Sequence, residues 1–170
     1  MRIAHLSGAG PGGTGRLLAA AAALLRERGL RLAGTEQVDS ARAGRSRCDM
    51  DLRLLPDGPL LRISADRGEH ARGCRLDPGA LEQAALEVAR RLEGADCLIV
   101  NRFGKREAEG RGLVPAVAQA LERGLPVLVG VGPRDLAAFL AFSGGLSTAL
   151  PPDPAAAAAW CLEGRPAHAA

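Results

Sequence analysis

Aromatic residues are scarce in this chain of 170 residues, which has three Phe, one Trp and no Tyr. Proteins that bind single-stranded nucleic acid stack bases on aromatic side chains, so the composition argues against this class of function. The formal net charge is only +3. Proteins that bind nucleic acid typically have a larger excess of basic residues. We therefore expect no nucleic-acid partner.

Long apolar runs are lacking as well. The longest alanine-rich segment, residues 17–25, is followed directly by Arg26, Glu27 and Arg28. A membrane-spanning helix needs about 20 consecutive apolar residues, and the first residues carry no signal-peptide pattern. We expect a globular protein in the cytoplasm that does not insert into membranes.

Paired cysteine motifs are also absent, since none of the four cysteines forms a C-x-x-C pair. This argues against a zinc ribbon or a thioredoxin-type site. Cys48 and Cys74 lie on either side of a predicted hairpin, which could bring them together at a sheet edge. A soft-metal or oxometal site beside arginines is one interpretation of this pair. Two buried structural cysteines are the commoner alternative.

Along the sequence, apolar segments typical of strands alternate with amphipathic segments typical of helices. This alternation predicts an α/β domain of three layers. Its sheet is largely parallel, and a hairpin around PDGP adds an antiparallel part. We expect one domain over residues 1–164 and a flexible tail over 165–170. The predicted elements are strand 3–6, helix 15–28, strand 30–38, hairpin strands 50–55 and 60–64, helix 78–92, strand 95–101, helix 114–123, strand 126–131, helix 133–142 and helix 154–162.

A glycine-rich turn, SGAGPGGTGR, joins the first strand to the first helix. Compared with the phosphate-binding pattern G-x-x-x-x-G-K-[ST], the better register uses Gly10 and Gly15, and then places Arg16 at the lysine and Leu17 at the hydroxyl residue. A register from Gly8 instead places Thr14 at the lysine position. Phosphate binding and a plain strand-to-helix turn both remain open from these residues. The candidate backbone donors are Gly10, Gly12, Gly13, Thr14 and Gly15.

Three loops should meet at one edge of the sheet, because ligands of parallel α/β sheets bind beyond the carboxyl ends of the strands. These loops span residues 7–16, 101–112 and 131–135. We interpret 101–112 as a charged loop.

The segment GADCLIVNRFGKREAEG, residues 94–110, resembles the second signature of small P-loop nucleoside triphosphatases of the thermophilic and cancer-related type. The order of the flanking elements agrees over roughly residues 3–131. CDMDLRLL, ISADRG, ARGCRLDPGALE and NRFGKREAEGRG together resemble an uncharacterised bacterial family related to those enzymes, whose members are often labelled NTPase-like or molybdenum-transport ATP-binding. The resemblance implies a P-loop-NTPase-like fold, ATP or GTP as ligand, and a transport or cofactor-assembly protein as partner.

The resemblance also exposes departures from an active triphosphatase. Asn101 stands where those enzymes have the aspartate that organises Mg²⁺, and Arg102 stands where they have the catalytic glutamate. Together with Leu17, these changes remove the protein contacts to the metal, so Mg²⁺ binding should be weak. Arg16, Arg102 and Lys105 would instead hold an anion through positive charge, with Glu107 orienting Lys105.

The sequence thus predicts a nucleotide- or oxyanion-binding protein with a degenerate P-loop and little or no hydrolysis. A link to molybdenum uptake or metabolism enters only through the resemblance. One alternative is a slow nucleoside triphosphatase that positions water with Glu107 or Glu109. Another is a partner-binding module without a small ligand, in which the arginine-rich loops contact an acidic protein.

Overall fold

A seven-stranded sheet forms the centre of the protein, as seen in a computed structural model that describes residues 1–8, 10, 12–40, 49–65 and 76–163. The strand order is β4-β3-β2-β5-β6-β1-β7. The strands are β1 Ile3–Leu6, β2 Leu32–Ser40, β3 Asp49–Leu54, β4 Leu60–Arg62, β5 Cys97–Phe103, β6 Val127–Val131 and β7 Thr148–Ala149. The helices are α1 Gly13–Glu27, α2 Pro78–Arg90, α3 Lys105–Ala108, α4 Val114–Glu122, α5 Leu136–Phe142 and α6 Pro154–Leu162.

Five of these strands run parallel, and β3 and β4 add an antiparallel hairpin at one edge. The central strands β5 and β6 are almost continuously apolar and buried, as expected for strands that are covered on both faces. The predicted α/β fold with a largely parallel sheet and a hairpin is therefore confirmed.

Two apolar clusters cover the two faces of the sheet. On one face, α1 and α6 bury Leu18, Leu25 and Cys161 against the central strands. On the other face, α2, α4 and α5 contribute Val88, Val117 and Phe139 to the larger cluster. Helix, sheet and helix thus form the three layers that the sequence predicts.

Helix starts follow local sequence signals in two cases. The carboxylates of Asp77 and Asp153 each accept hydrogen bonds from two first-turn backbone amides, and Pro78 and Pro154 follow them as the first helical residues. Such caps stabilise a helix by about 1 kcal/mol each, which explains why these two starts are readable from sequence.

Several boundaries differ from the sequence-based predictions. Helix α1 begins at Gly13, two residues earlier than predicted, and α5 begins only at Leu136. The predicted charged loop 101–112 is wrong in part, because β5 continues to Phe103 and α3 follows it. The two-residue strand β7, which pairs with β1, has too little apolar pattern to be predicted. The predicted tail, residues 165–170, lies outside the described residues.

None of the helices in the described ranges combines the length and the apolar character that crossing a membrane requires.

Candidate functional site

A cleft of about 410 Å³ opens at the carboxyl edge of the sheet, where the ends of β1, β2, β5 and β6 meet. We call it the glycine cleft. Its lining residues come from the three predicted loops and from α1, β2 and β6; they are Gly8, Gly10, Gly12, Thr14, Gly15, Arg16, Ala19, Gln37, Asn101, Arg102, Gly130, Gly132 and Pro133. The structure therefore brings the glycine-rich turn, Asn101 and Arg102 together, as the loop argument predicts.

The glycine-rich turn packs closely against the first turn of α1. The backbone N–H of Gly8 donates a hydrogen bond to Oγ1 of Thr14 over 2.8 Å. A Cβ on Gly8 would overlap the backbone of Gly13 and Thr14, so only glycine fits there. Helix α1 begins at Gly13, so Thr14 and Gly15 lie in its first turn, and the Thr14 hydroxyl accepts the hydrogen bond from Gly8.

The amino end of α1 faces the cleft. Its N-cap is Gly12, at φ 68°, and the first turn has neither a side-chain cap nor an acidic residue. Helix amino ends carry a partial positive charge and backbone donors, which together favour anions. Arg16 adds a full charge, and its Nη1 lies 3.2 Å from where a Cβ of Gly12 would be. The guanidinium is thus folded back over the helix start.

Leu17, by contrast, cannot act as a metal ligand. It is partly buried and packs against the apolar cluster formed by α1, α6 and the sheet. A residue that anchors the helix in this way has no oxygen to offer Mg²⁺.

Asn101 lies at the floor of the cleft, in an irregular part of β5. The register with β6 shifts between Val100 and Phe103, so β5 has one extra residue there. Such bulges redirect side chains. Asn101 is buried, and its Nδ2 donates a hydrogen bond to Oε1 of Gln37 over 3.2 Å. Gly130 completes the floor, since a Cβ there would collide with the carbonyl oxygen of Asn101.

Arg102 lies at the rim and faces α5. Its Nη2 is 3.6 Å from Oδ2 of Asp135, and its side chain is 69% exposed. Asp135 is the N-cap residue of α5 and follows Gly132 and Pro133, which line the cleft. The arginine that replaces the expected catalytic glutamate thus has a carboxylate partner within the same protein.

The structure does not bring Lys105 to the cleft. Its side chain is 89% exposed, and its Nζ lies 3.9 Å from Glu109. Glu107 does not orient it, because residues two apart on α3 point in nearly opposite directions, about 200° around the helix. Glu109 contacts Lys105 and Arg106 and does not line the cleft. This geometry therefore does not support Lys105 as a group that binds the anion or Glu107 as the residue that orients it. It also does not support Glu107 or Glu109 as the residue that positions water.

Glu107 is buried and holds the backbone around α3. Its carboxylate accepts hydrogen bonds from the N–H groups of Gly104, over 3.1 Å, and Leu113, over 3.3 Å. Burial raises the pKa of this carboxyl, although the backbone donors lower it. A carboxylate that is occupied in this way fixes the turn after β5.

The family model described as "Protein of unknown function (DUF2478)" matches residues 3–160 of the chain. The chain belongs to this family. Its match includes all the described residues that line the glycine cleft.

The DUF2478 chain is also similar to part of a longer curated protein. It is 36% identical over 97 residues to a protein of Bradyrhizobium diazoefficiens named "Molybdenum import ATP-binding protein ModC 2". The match covers 56% of this chain but only 11% of that protein, so the chain spans about a tenth of its relative's length.

The fold is similar to the solution structure of a human cancer-related nucleoside triphosphatase. The TM-score is 0.60 at 23% identity, over 88% of this chain and 87% of that one. At this identity the likeness shows the fold alone. The predicted relation to an uncharacterised family with a P-loop-NTPase-like fold is thereby confirmed.

Two residues of the site escaped the sequence analysis of this DUF2478 chain. Gln37 is the partner of Asn101, and Asp135 is the partner of Arg102. Gln37 follows Thr35 and Glu36 near the end of β2, where a ligand-facing residue is expected once β2 is known to lie beside β5. Asp135 ends the predicted third loop, and that position is the only signal the sequence offers.

The predicted cysteine pair, Cys48 and Cys74, lies outside the described residues. The other two cysteines form a pair that the sequence does not suggest, since the Sγ atoms of Cys97 and Cys161 are 3.7 Å apart in the core. The hydrogen bond to Cys161, together with burial, raises the pKa of the Cys97 thiol well above its usual value. Within the described ranges, His, Cys, Asp and Glu side chains form no group of three that could hold a metal ion.

Proposed function

We propose that this protein binds a phosphate-bearing nucleotide or another tetrahedral oxyanion in the glycine cleft, without Mg²⁺ and with little or no hydrolysis. One observation carries the proposal. The amino end of α1, Arg16 and Arg102 meet at the cleft, and no carboxylate is found among its described lining residues. A donor-rich, cationic cleft of this kind favours anions.

Arginine suits the proposed ligand. Its guanidinium is planar and presents paired N–H groups that match two oxygens of a phosphate-like anion. Arg16 belongs to α1 and Arg102 to the end of β5, so the two charges approach from different elements. The amide of Asn101 supplies a neutral donor at the floor, beside Gln37.

A Mg²⁺ ion does not fit the residues of this cleft. Mg²⁺ in nucleotide sites is usually bound by one or two carboxylates together with phosphate oxygens. Leu17 packs into the core and Asn101 is neutral, so the described residues at these two positions offer the ion no carboxylate and no hydroxyl. We therefore assign no step of a reaction to a bound metal.

Molybdate is the first free oxyanion to test, because the relative described above is named for molybdenum import and ATP binding. ATP and GTP are the corresponding nucleotide candidates. A transport or cofactor-assembly protein as partner rests on the same name and is part of the proposal.

The test is isothermal titration with ATP, GTP and molybdate, each with and without Mg²⁺. We expect binding that does not need Mg²⁺, and we expect Arg16→Ala to weaken it by roughly thirtyfold, the equivalent of about 2 kcal/mol for a charge-assisted hydrogen bond. Arg123→Ala is the matched control, because Arg123 is exposed at the end of α4 and does not line the cleft. Its affinity should equal that of the wild type.

Two other results would favour the other functions. Mg²⁺-dependent phosphate release that Arg16→Ala abolishes would establish a slow nucleoside triphosphatase. No binding of any of the three ligands would remove the anion-binding proposal and leave a partner-binding module.

A further inference from the structure

The ion pair between Arg102 and Asp135 joins an exposed arginine side chain to a partly buried aspartate side chain. Arg102 is 69% exposed, whereas the Asp135 side chain is 24% exposed. The backbone N–H of Asp135 donates to the carbonyl of Gly132 over 3.0 Å, and its carbonyl accepts from Phe139 over 2.9 Å. Asp135 is thereby attached both to the cleft wall and to the first turn of α5.

Helix α5 itself is firmly anchored. Phe139 is completely buried, and its ring lies 5.2 Å from the rings of both His5 and Phe103. Phe103 follows Arg102 directly in β5, so the same aromatic cluster sets the positions of both backbones. The backbone that carries Asp135 is consequently held beside Arg102, and the long, exposed arginine side chain is the partner that can turn toward the cleft.

From this geometry we infer that Asp135 limits the affinity of the glycine cleft for anions, by competing with them for Arg102. This inference rests on the proposed function. Asp135 offers Arg102 one negative charge in the empty protein. A monoanion that displaces it exchanges one such charge for another and gains little, whereas a dianion interacts more strongly with Arg102 and Arg16 together. The preferred ligand class is therefore an oxyanion with at least two charges, such as molybdate or a phosphate ester.

The competition is feasible because the pair is weak. Exposed ion pairs contribute little to stability and are screened by salt. A ligand bound in the cleft can thus take Arg102 away from Asp135 without disturbing the core, and a neutral residue at position 135 should leave Arg102 available at all times.

The experiment is a double-mutant cycle of Asp135→Asn and Arg102→Ala, titrated without Mg²⁺ against molybdate, ATP and the tetrahedral monoanion perchlorate. We expect Asp135→Asn to bind molybdate and ATP about two- to fivefold more tightly. Perchlorate should gain less, because the contact with Arg102 that Asp135→Asn makes available is weaker for a monoanion. In the Arg102→Ala background, Asp135→Asn should change nothing.

Asp57→Asn is the matched control, because Asp57 is an exposed aspartate in the turn between β3 and β4 and does not line the cleft. It removes the same charge and should leave all affinities unchanged. Thermal unfolding of every variant establishes that α5 remains folded.

Three outcomes would overturn the inference. If the wild type binds in an Arg16-dependent way but Asp135→Asn binds no more tightly, the inference fails and the proposed function stands. Weaker binding by Asp135→Asn would mean that Asp135 holds Arg102 in its binding position, which also leaves the proposed function intact. If the wild type binds neither molybdate nor ATP, both fail together.

Discussion

Nδ2 of Asn101 donates a hydrogen bond to Oε1 of Gln37 over 3.2 Å, although the two residues are 64 positions apart in the chain. This amide pair occupies the floor of the glycine cleft, at the position where the resemblance to the small P-loop triphosphatases predicts an aspartate. A neutral pair there adds no negative charge to a site that we propose for anions. The pair therefore gives the sharpest test of how the site differs from a metal-dependent one.

Asn101→Asp should make anion binding depend on Mg²⁺. The new carboxylate repels an anion, so we expect metal-free binding of ATP to weaken about tenfold, the equivalent of about 1.4 kcal/mol. Added Mg²⁺ should restore part of the affinity. Isothermal titration with and without Mg²⁺ measures both effects.

Asn101→Ala is the control for this prediction, since it removes the amide without adding charge. Its loss of affinity should not respond to Mg²⁺. An Asn101→Asp variant that binds ATP as the wild type does, with no response to Mg²⁺, would show that the ligand lies away from Asn101.

Gly130→Ala should destabilise the protein. A Cβ at this position would collide with the carbonyl oxygen of Asn101 and would lie 2.6 Å from Cδ1 of Leu18 and 3.0 Å from Cγ2 of Thr14. Because two of these neighbours belong to α1, the helix and the floor would have to separate. We expect the free energy of unfolding to fall by about 1–3 kcal/mol, measured by urea denaturation.

Gly15→Ala provides the matched comparison, because its Cβ would lie 3.7 Å from Oδ1 of Asn101, an ordinary contact. Gly15 is within α1, so alanine should raise the free energy of unfolding by about 0.5–1 kcal/mol. Equal urea midpoints for Gly130→Ala and the wild type would contradict the close packing described for the cleft floor.

Glu107→Gln should make the loss of stability toward acid pH steeper. Burial raises the pKa of Glu107, so the folded protein keeps a proton that the unfolded chain has already lost. The stabilising effect of that proton is fully present below the ordinary carboxyl pKa and is lost as the pH rises through the raised, folded-state pKa. Wild type should therefore gain stability relative to Glu107→Gln as the pH falls.

Urea unfolding from about pH 7 to about pH 4 measures this difference. Glu109→Gln, at the end of α3 and 43% exposed in its side chain, is the matched control for the loss of a carboxylate. If Glu107→Gln and the wild type show the same dependence on pH, the carboxylate of Glu107 does not titrate with a raised pKa.

Much of the fold could be predicted from the sequence because its signals are local. The apolar runs of β5 and β6, and the Asp-Pro starts of α2 and α6, identify their elements without reference to the rest of the chain. The glycine-rich turn and the charged segment after β5 were also found, since both follow apolar strands. Leu17, Asn101 and Arg102 could be recognised as departures from the P-loop pattern by position alone.

The sequence by itself thus determined the succession of most strands and helices along the chain, the Asp caps of α2 and α6, the glycines at the turn, and the chemistry of Arg16 and Arg102. Only the tertiary structure decided the partners. Gln37 meets Asn101 because β2 lies beside β5, and Asp135 meets Arg102 because α5 packs through Phe139 on the Phe103 that follows it. In the short helix α3, the side chain of Lys105 is exposed and that of Glu107 is buried. Such contacts depend on the order of strands in the sheet and on the rotation of each helix about its axis. Both are fixed jointly by residues that are distant in the sequence, and the local pattern of a single segment specifies neither of them.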